Sequence, residues 1–163
     1  GVLSTCRRGR EKGTLVTELV DVGSRLFPAG RLDRDTEGLL ILTNDGDLAL
    51  HLTHPRYAKE KEYEVELAGP VPGLEQKLVQ GVRLDDGPAR ALKAKRIHAT
   101  RVRLVLSEGR KRQVRRMLEA LGAEVTRLRR IRVGGLRLGR LAPGAWKRLS
   151  EKDIARLLDP PSP

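Results

Sequence analysis

Two spacings organise the apolar positions of this chain. "EYEVEL" (62–67) alternates strictly, so Tyr63, Val65 and Leu67 share one face of a strand and the glutamates take the other. "RVRLVL" (101–106) repeats the pattern, with Val102, Leu104 and Leu106 inward. "GLLILT" (38–43) is a continuous apolar run of strand length. "VTRLRRIRVGG" (125–135) reads as a strand whose alternation slips at Arg129–Arg130, which predicts an irregularity there. Helical spacing governs the other segments. "RQVRRMLEALG" (112–122) sets Val114, Met117, Leu118 and Leu121 on one stripe and ends at Gly122. "PGLEQKLVQG" (72–81) has Pro near its start and Gly at its end. "NDGDLALHLTH" (44–54) is a turn feeding a helix, with Leu48 and Leu52 four apart. "TLVTELV" (14–20) suits a short helix with Thr14 as its N-cap. "SEKDIARLL" (150–158) is a final helix capped by Ser150 and stopped by the tail "DPPSP". Mixed in this way, the elements predict an α+β domain: a mixed, largely antiparallel sheet with helices covering one face.

Composition narrows the picture. The 163 residues suit one domain, and aromatics make up only 2%, so Leu, Val, Ile and Ala must carry the core. The net charge is +12, spread along the chain rather than gathered in a tail. A folded domain with a basic face points first to nucleic acid. Cys6 is the single cysteine, which excludes a disulfide framework within the chain. No apolar run reaches the ~18 residues of a membrane helix and no signal peptide is visible, so a cytoplasmic protein is expected.

Three stretches carry candidate chemistry. "GRLDRDTEG" (30–38) crowds five charges against the apolar "LLILTN". Its Asp33, Asp35 and Glu37 copy the first half of a calcium loop, but Asn44 stands where that loop needs a bidentate carboxylate. Asp33, between Arg31 and Arg34, is a candidate nucleophile, weighed against a plain salt-bridge cluster. "EGRKRQVRRML" (108–118) places Arg110, Lys111, Arg112, Arg115 and Arg116 on and beside the polar side of a helix, a face suited to phosphates. Tyr63, inward on its strand, offers a ring on which an extruded base could stack; the alternative is a core tyrosine. His51 and His54 lack a third ligand at convincing spacing and read as surface or capping residues. No nucleotide-binding or zinc motif is present, and neither cofactor nor metal is expected.

These pieces share an order. "GRLDRDTEGLLILTNDGDLALHLTHPRYAKEKEY", "GVRLDDGPA", "EGRKRQVRRMLEALG" and "LRRIRVGGLRLGRLAPGAWKRLS" together resemble the ribosomal pseudouridine synthases over almost the whole chain. The branch is that of the small-subunit enzyme and the large-subunit enzymes of types B, E and F, with "GVRLDDGPA" most similar to the B type. The resemblance implies the pseudouridine synthase fold with a catalytic cleft. It implies that residues 1–163 are a catalytic domain, without the family's N-terminal S4-type RNA-binding domain. "GVLST" looks like the end of a Lys-Pro-x-Gly-x-x-Ser motif, so a piece of a longer protein is expected. By the same resemblance Asp33 is the essential catalytic residue. Tyr63, after Lys61, stacks on the base and takes part in proton removal. Arg115 pairs with Asp33, and Arg31 holds the flipped nucleotide or its phosphate. Lys61, Arg110 and Arg112 are the further substrate contacts expected. The expected partner is ribosomal RNA, 23S in preference to 16S, with no membrane and no small-molecule cofactor, and the chain is expected to be a monomer. A catalytically silent rRNA-binding module is the alternative.

Overall fold

The computed structural model describes residues 2–6 and 12–159. The chain opens with two short strands, β1 (Val2–Leu3) and β2 (Thr14–Leu15), which pair in parallel. The helix expected over 14–20 shrinks to a single 3₁₀ turn, Val16–Leu19. Thr14 lies in β2 rather than capping it; instead the Glu18 carboxylate reaches back to accept from the Leu15 N–H at 3.0 Å. β3 (Phe27–Ala29) leads into the charged loop, and β4 (Glu37–Gly38) leaves it. The apolar run at 38–43 is therefore not one strand: it breaks at Leu39–Leu40, and β5 (Ile41–Thr43) turns away to pair with β3. Gly38 explains the break. Its φ is +114°, and a Cβ there would lie 2.2 Å from the Arg130 carbonyl oxygen, so only glycine permits the approach.

α1 (Gly46–Thr53) starts at Asp45, whose carboxylate accepts from the Asp47 and Leu48 N–H groups. β6 (Lys61–Leu67) follows, then α2 (Leu74–Gln80), the β7 (Val82–Leu84) and β8 (Gly87–Ala89) hairpin, and β9 (Lys93–His98). After β10 (Arg101–Leu106) come α3 (Gln113–Ala120), β11 (Val125–Val133), β12 (Leu136–Arg137) and α4 (Glu151–Leu158). Ser150 caps α4 as expected, accepting from Asp153 N–H. Gly1 and the tail beyond Asp159 lie outside the described residues.

The central sheet runs β12-β11-β6-β10-β9, antiparallel throughout, with β4 added to β11 in parallel. β6 sits in the middle, so its alternation decides both faces. Tyr63, Val65 and Leu67 join Val102, Leu104 and Leu106 in the core, beneath Leu74 and Leu78 of α2 and Val114, Met117 and Leu118 of α3. Each fully buried leucine contributes ~1.5–3 kcal/mol. On the other face the β6 glutamates meet arginines across both neighbouring strands: Glu64 with Arg103, Glu66 with Arg101 and Arg127. The expected irregularity in β11 is present, one step later than the pattern suggests, as a register shift between Arg130 and Arg132; a second lies between Val125 and Arg127. A smaller core joins α1 and α4 to the sheet through Ala29, Leu39, Ile41, Leu52, Val133, Leu136 and Leu157. Among the described residues no helix is long and apolar enough to cross a membrane.

Candidate active site

Where the β3–β4 loop, the near end of β6 and the 107–113 segment meet, they enclose a cleft of about 650 Å³. That lies within the ~300–1,000 Å³ of ordinary small-ligand sites. Asp33, Arg31, Lys61, Tyr63 and Arg110 all line it, as do Thr36, Lys59 and Arg130. Alternation along β6 delivers Lys61 and Tyr63 to the same face, the first toward the open end and the second into the core.

The loop bearing Asp33 is held on two sides. From the sheet, Arg130 is 97% buried, and its Nε donates to the Leu39 carbonyl at 2.8 Å while Nη1 donates to the Arg31 carbonyl at 3.3 Å. One guanidinium thus ties both ends of the loop, and the Leu39 N–H returns a bond to Arg130 O at 2.8 Å. From the other side, Arg112 grips the Asp35 carboxylate with two bonds of 2.9 Å, and Arg115 Nη2 donates to the Asp35 carbonyl at 2.6 Å. Arg112 sits at the head of α3 with φ +50°, a left-handed conformation that costs a side-chain-bearing residue free energy. The bidentate pair holds it there. Ser4 Oγ adds a third tie, accepting from Leu32 N–H and donating to Leu32 O. Inside the loop, Thr36 N–H donates to Asp33 O at 2.9 Å.

This geometry corrects one pairing. Arg115 meets Asp35, with Nε 3.2 Å from Oδ2, and among the described residues no ion pair engages Asp33. Spacing could not distinguish the two aspartates, which are two positions apart in one loop. Arg110 reaches the cleft, but its guanidinium is bound to Glu108, Asp86 and the Gly87 carbonyl. Arg112 and Arg115 stand outside the cleft lining, on the far side of the loop. Arg116 is bound to Asp85 and Asp86. Most of the arginines expected to face phosphate therefore hold the protein together.

Several site residues escaped the sequence reading. Arg130 is the foremost; the only hint was the slip in alternation beside it. Lys59 is buried, and its ammonium caps α4 by donating to the Leu158 carbonyl at 2.5 Å. Thr36 lines the cleft, and its Oγ1 is buried without a hydrogen-bond partner among the described residues. Burial first, then the charges of Arg130 and Lys59, push the Lys61 ammonium down to about 8. Among the described residues the Lys61 group makes one bond, to the Lys59 carbonyl at 2.9 Å. Asp35, by contrast, is held below the usual carboxylate range by its bond to Arg112.

Residues 8–120 match the family model described as RNA pseudouridylate synthase. The chain belongs to this family. An RNA pseudouridine synthase of Aquifex aeolicus, named as uncharacterized, is 43% identical over 134 residues, 82% of this chain and 56% of that protein. The ribosomal large subunit pseudouridine synthase B of Bacillus subtilis is 38% identical over 96% of this chain and 67% of its own length. A crystal structure of a pseudouridylate synthase superposes with TM-score 0.87 at 32% identity, covering 96% of this chain and 69% of the other. The chain thus spans a little over half to two thirds of these curated relatives. The family fold accounts for the mixed sheet with its flanking helices, and the cleft lies beside β6, the strand at the sheet's centre.

Proposed function

We propose that the cleft converts a uridine of ribosomal RNA, in the 23S molecule, to pseudouridine. One observation carries this reading. Among the described residues the cleft wall holds two acidic side chains, and Glu108 is bound to Arg110 and Gln113, which leaves Asp33 as the carboxylate available to a ligand. It shares that wall with Tyr63 and Lys61.

The isomerisation breaks the N1–C1′ bond and forms a C5–C1′ bond. The C5 proton departs and N1 gains one, so there is no net oxidation or reduction and no co-reactant is consumed. Extruding the uridine from its stack costs a few kcal/mol. Stacking on the Tyr63 ring returns ~1–3 kcal/mol. Asp33 presents the carboxylate oxygen that detachment of the base requires, and Tyr63 accepts the C5 proton, directly or through water. Lys61 and Arg31 offer cations to the extruded nucleotide and its phosphate. Arg130 positions Asp33 by fixing both loop ends. Support for 23S as the target comes from the Bacillus relative and from the "GVRLDDGPA" segment, which forms the β7–β8 hairpin.

The test is tritium release from 5-tritiated uridine in unmodified 23S and 16S transcripts. Release from 23S is expected, falling below about one thousandth with Asp33→Asn. Equal release by wild type and Asp33→Asn removes Asp33 from the mechanism, and release from 16S alone overturns the choice of RNA.

A further inference from the structure

At the rim of the cleft, α1 hands over to a 3₁₀ turn at Pro55–Tyr57. His54 belongs to both: its N–H closes α1 on Leu50 O at 2.9 Å, and its Nδ1 accepts from Arg56 N–H at 3.2 Å. With Nδ1 accepting, the neutral ring carries its proton on Nε2, a donor for which the described residues supply no acceptor. Ala58 closes the turn in a left-handed conformation, φ +45°, with its N–H on Pro55 O. The segment is thereby fixed at both ends.

Its side chains form a stack. The Tyr57 and His51 rings lie 4.1 Å apart at 24°, and His54 meets the Tyr57 edge at 6.5 Å and 77°. The Arg56 guanidinium sits 4.5 Å from the Tyr57 ring centre and donates to the Tyr57 hydroxyl. Phe, Tyr and Trp make up only 2% of the chain, and Tyr57 with two histidines gathers three rings beside the cleft-lining His54 and Pro55. Arg56 is exposed and, among the described residues, has no carboxylate partner, unlike Arg110, Arg112, Arg115 and Arg116. His54 and Pro55 line the same cleft as Asp33.

We propose that this rim is a stacking subsite for a nucleobase next to the target uridine, with the base laid on the Arg56–Tyr57 pair. Single-stranded RNA is held by such means: bases stack on aromatic rings or guanidinium planes while the cation meets the neighbouring phosphate. The proposal rests on the reading of the cleft as the uridine site. Arg56 supplies both plane and charge, and Tyr57 fixes its orientation.

The probe is a five-nucleotide RNA with a central uridine, 2-aminopurine on one side and abasic sugars elsewhere, made in both polarities. Stacking quenches 2-aminopurine. With the wild-type chain, one polarity is expected to bind with quenched fluorescence. Arg56→Lys keeps the charge but loses the plane, and should restore fluorescence with little change in salt dependence. Tyr57→Ala should restore fluorescence and weaken binding about tenfold or more, while Tyr57→Phe retains the quench. Thermal melts identify any variant that fails to fold, and Arg56→Lys, an exposed change, remains the deciding variant. No quench in either polarity, or Arg56→Lys matching wild type, overturns the subsite. Tritium release reports separately: active enzyme with an unquenched probe loses only the rim, whereas inactive enzyme with a quenched probe loses only the catalytic reading.

Discussion

The helix α3 segment and the α1 rim flank the same cleft and use arginine in opposite ways. Around α3, Arg110, Arg112, Arg115 and Arg116 are all engaged by carboxylates or carbonyls. At the rim, among the described residues, the Arg56 guanidinium answers only to a tyrosine ring and its hydroxyl. The arginines of the denser basic stretch therefore serve the scaffold, which leaves its exposed Lys111 at the cleft wall and Arg56 at the rim open to a polyanion. Charge density in a sequence measures how many cations exist; their partners decide which remain for RNA.

The sharpest way to break this contrast is to remove the scaffold cation that ties the Asp33 loop to the sheet. Arg130→Met keeps bulk but deletes two bonds from a buried guanidinium to the loop ends. Bonds to charged groups contribute ~1.5–3 kcal/mol each, so a loss of about 3 kcal/mol in stability is expected by denaturant unfolding, with tritium release down a further hundredfold in the folded fraction. Unchanged activity per folded molecule would strip Arg130 of its positioning role.

Arg115→Ala comes next. It frees the Asp35 carbonyl without touching the cleft wall, so kcat should fall about tenfold while filter binding of RNA changes little. Matching losses in both would return Arg115 to the RNA-facing set and undo the comparison.

The smallest effect concerns Lys61. Its ammonium is held at about 8, below the unfolded value of 10.5. Between these values the unfolded chain binds more protons, so folding stability should rise as pH climbs from about 8 to 10.5. RNA affinity should move the other way, dropping severalfold as pH passes about 8 and the cation is lost. Lys61→Met should flatten both curves; an affinity step that survives in Lys61→Met would assign it to another group.

The sequence made the long elements readable because their periods were complete. β6 and β10 alternate over six or seven residues, and α3 and α4 repeat their stripes. β1 to β5 are two or three residues each, too short for any period, and their places are set by tertiary contacts such as Gly38 against Arg130. Asp33, Tyr63 and Lys61 could be nominated from sequence and do share one cleft. The partner of Arg115 could not, since Asp33 and Asp35 differ only in which way the loop turns them. Arg130 was hidden for a different reason: strand arginines are usually solvent-facing, yet plain alternation from the buried Leu128 sets this one on the inner face opposite Tyr63.

Gly38 has a consequence for how the protein tolerates change. Because its α-carbon rests against the main chain of Arg130, any methyl there would act as a wedge between the loop and the strand that anchors it. The exposed Arg34, on the same loop, touches no such wall. Variation should therefore accumulate on the outer curve of the loop and stop abruptly at its exit, where a single hydrogen atom keeps the loop that carries Asp33 in register with the sheet.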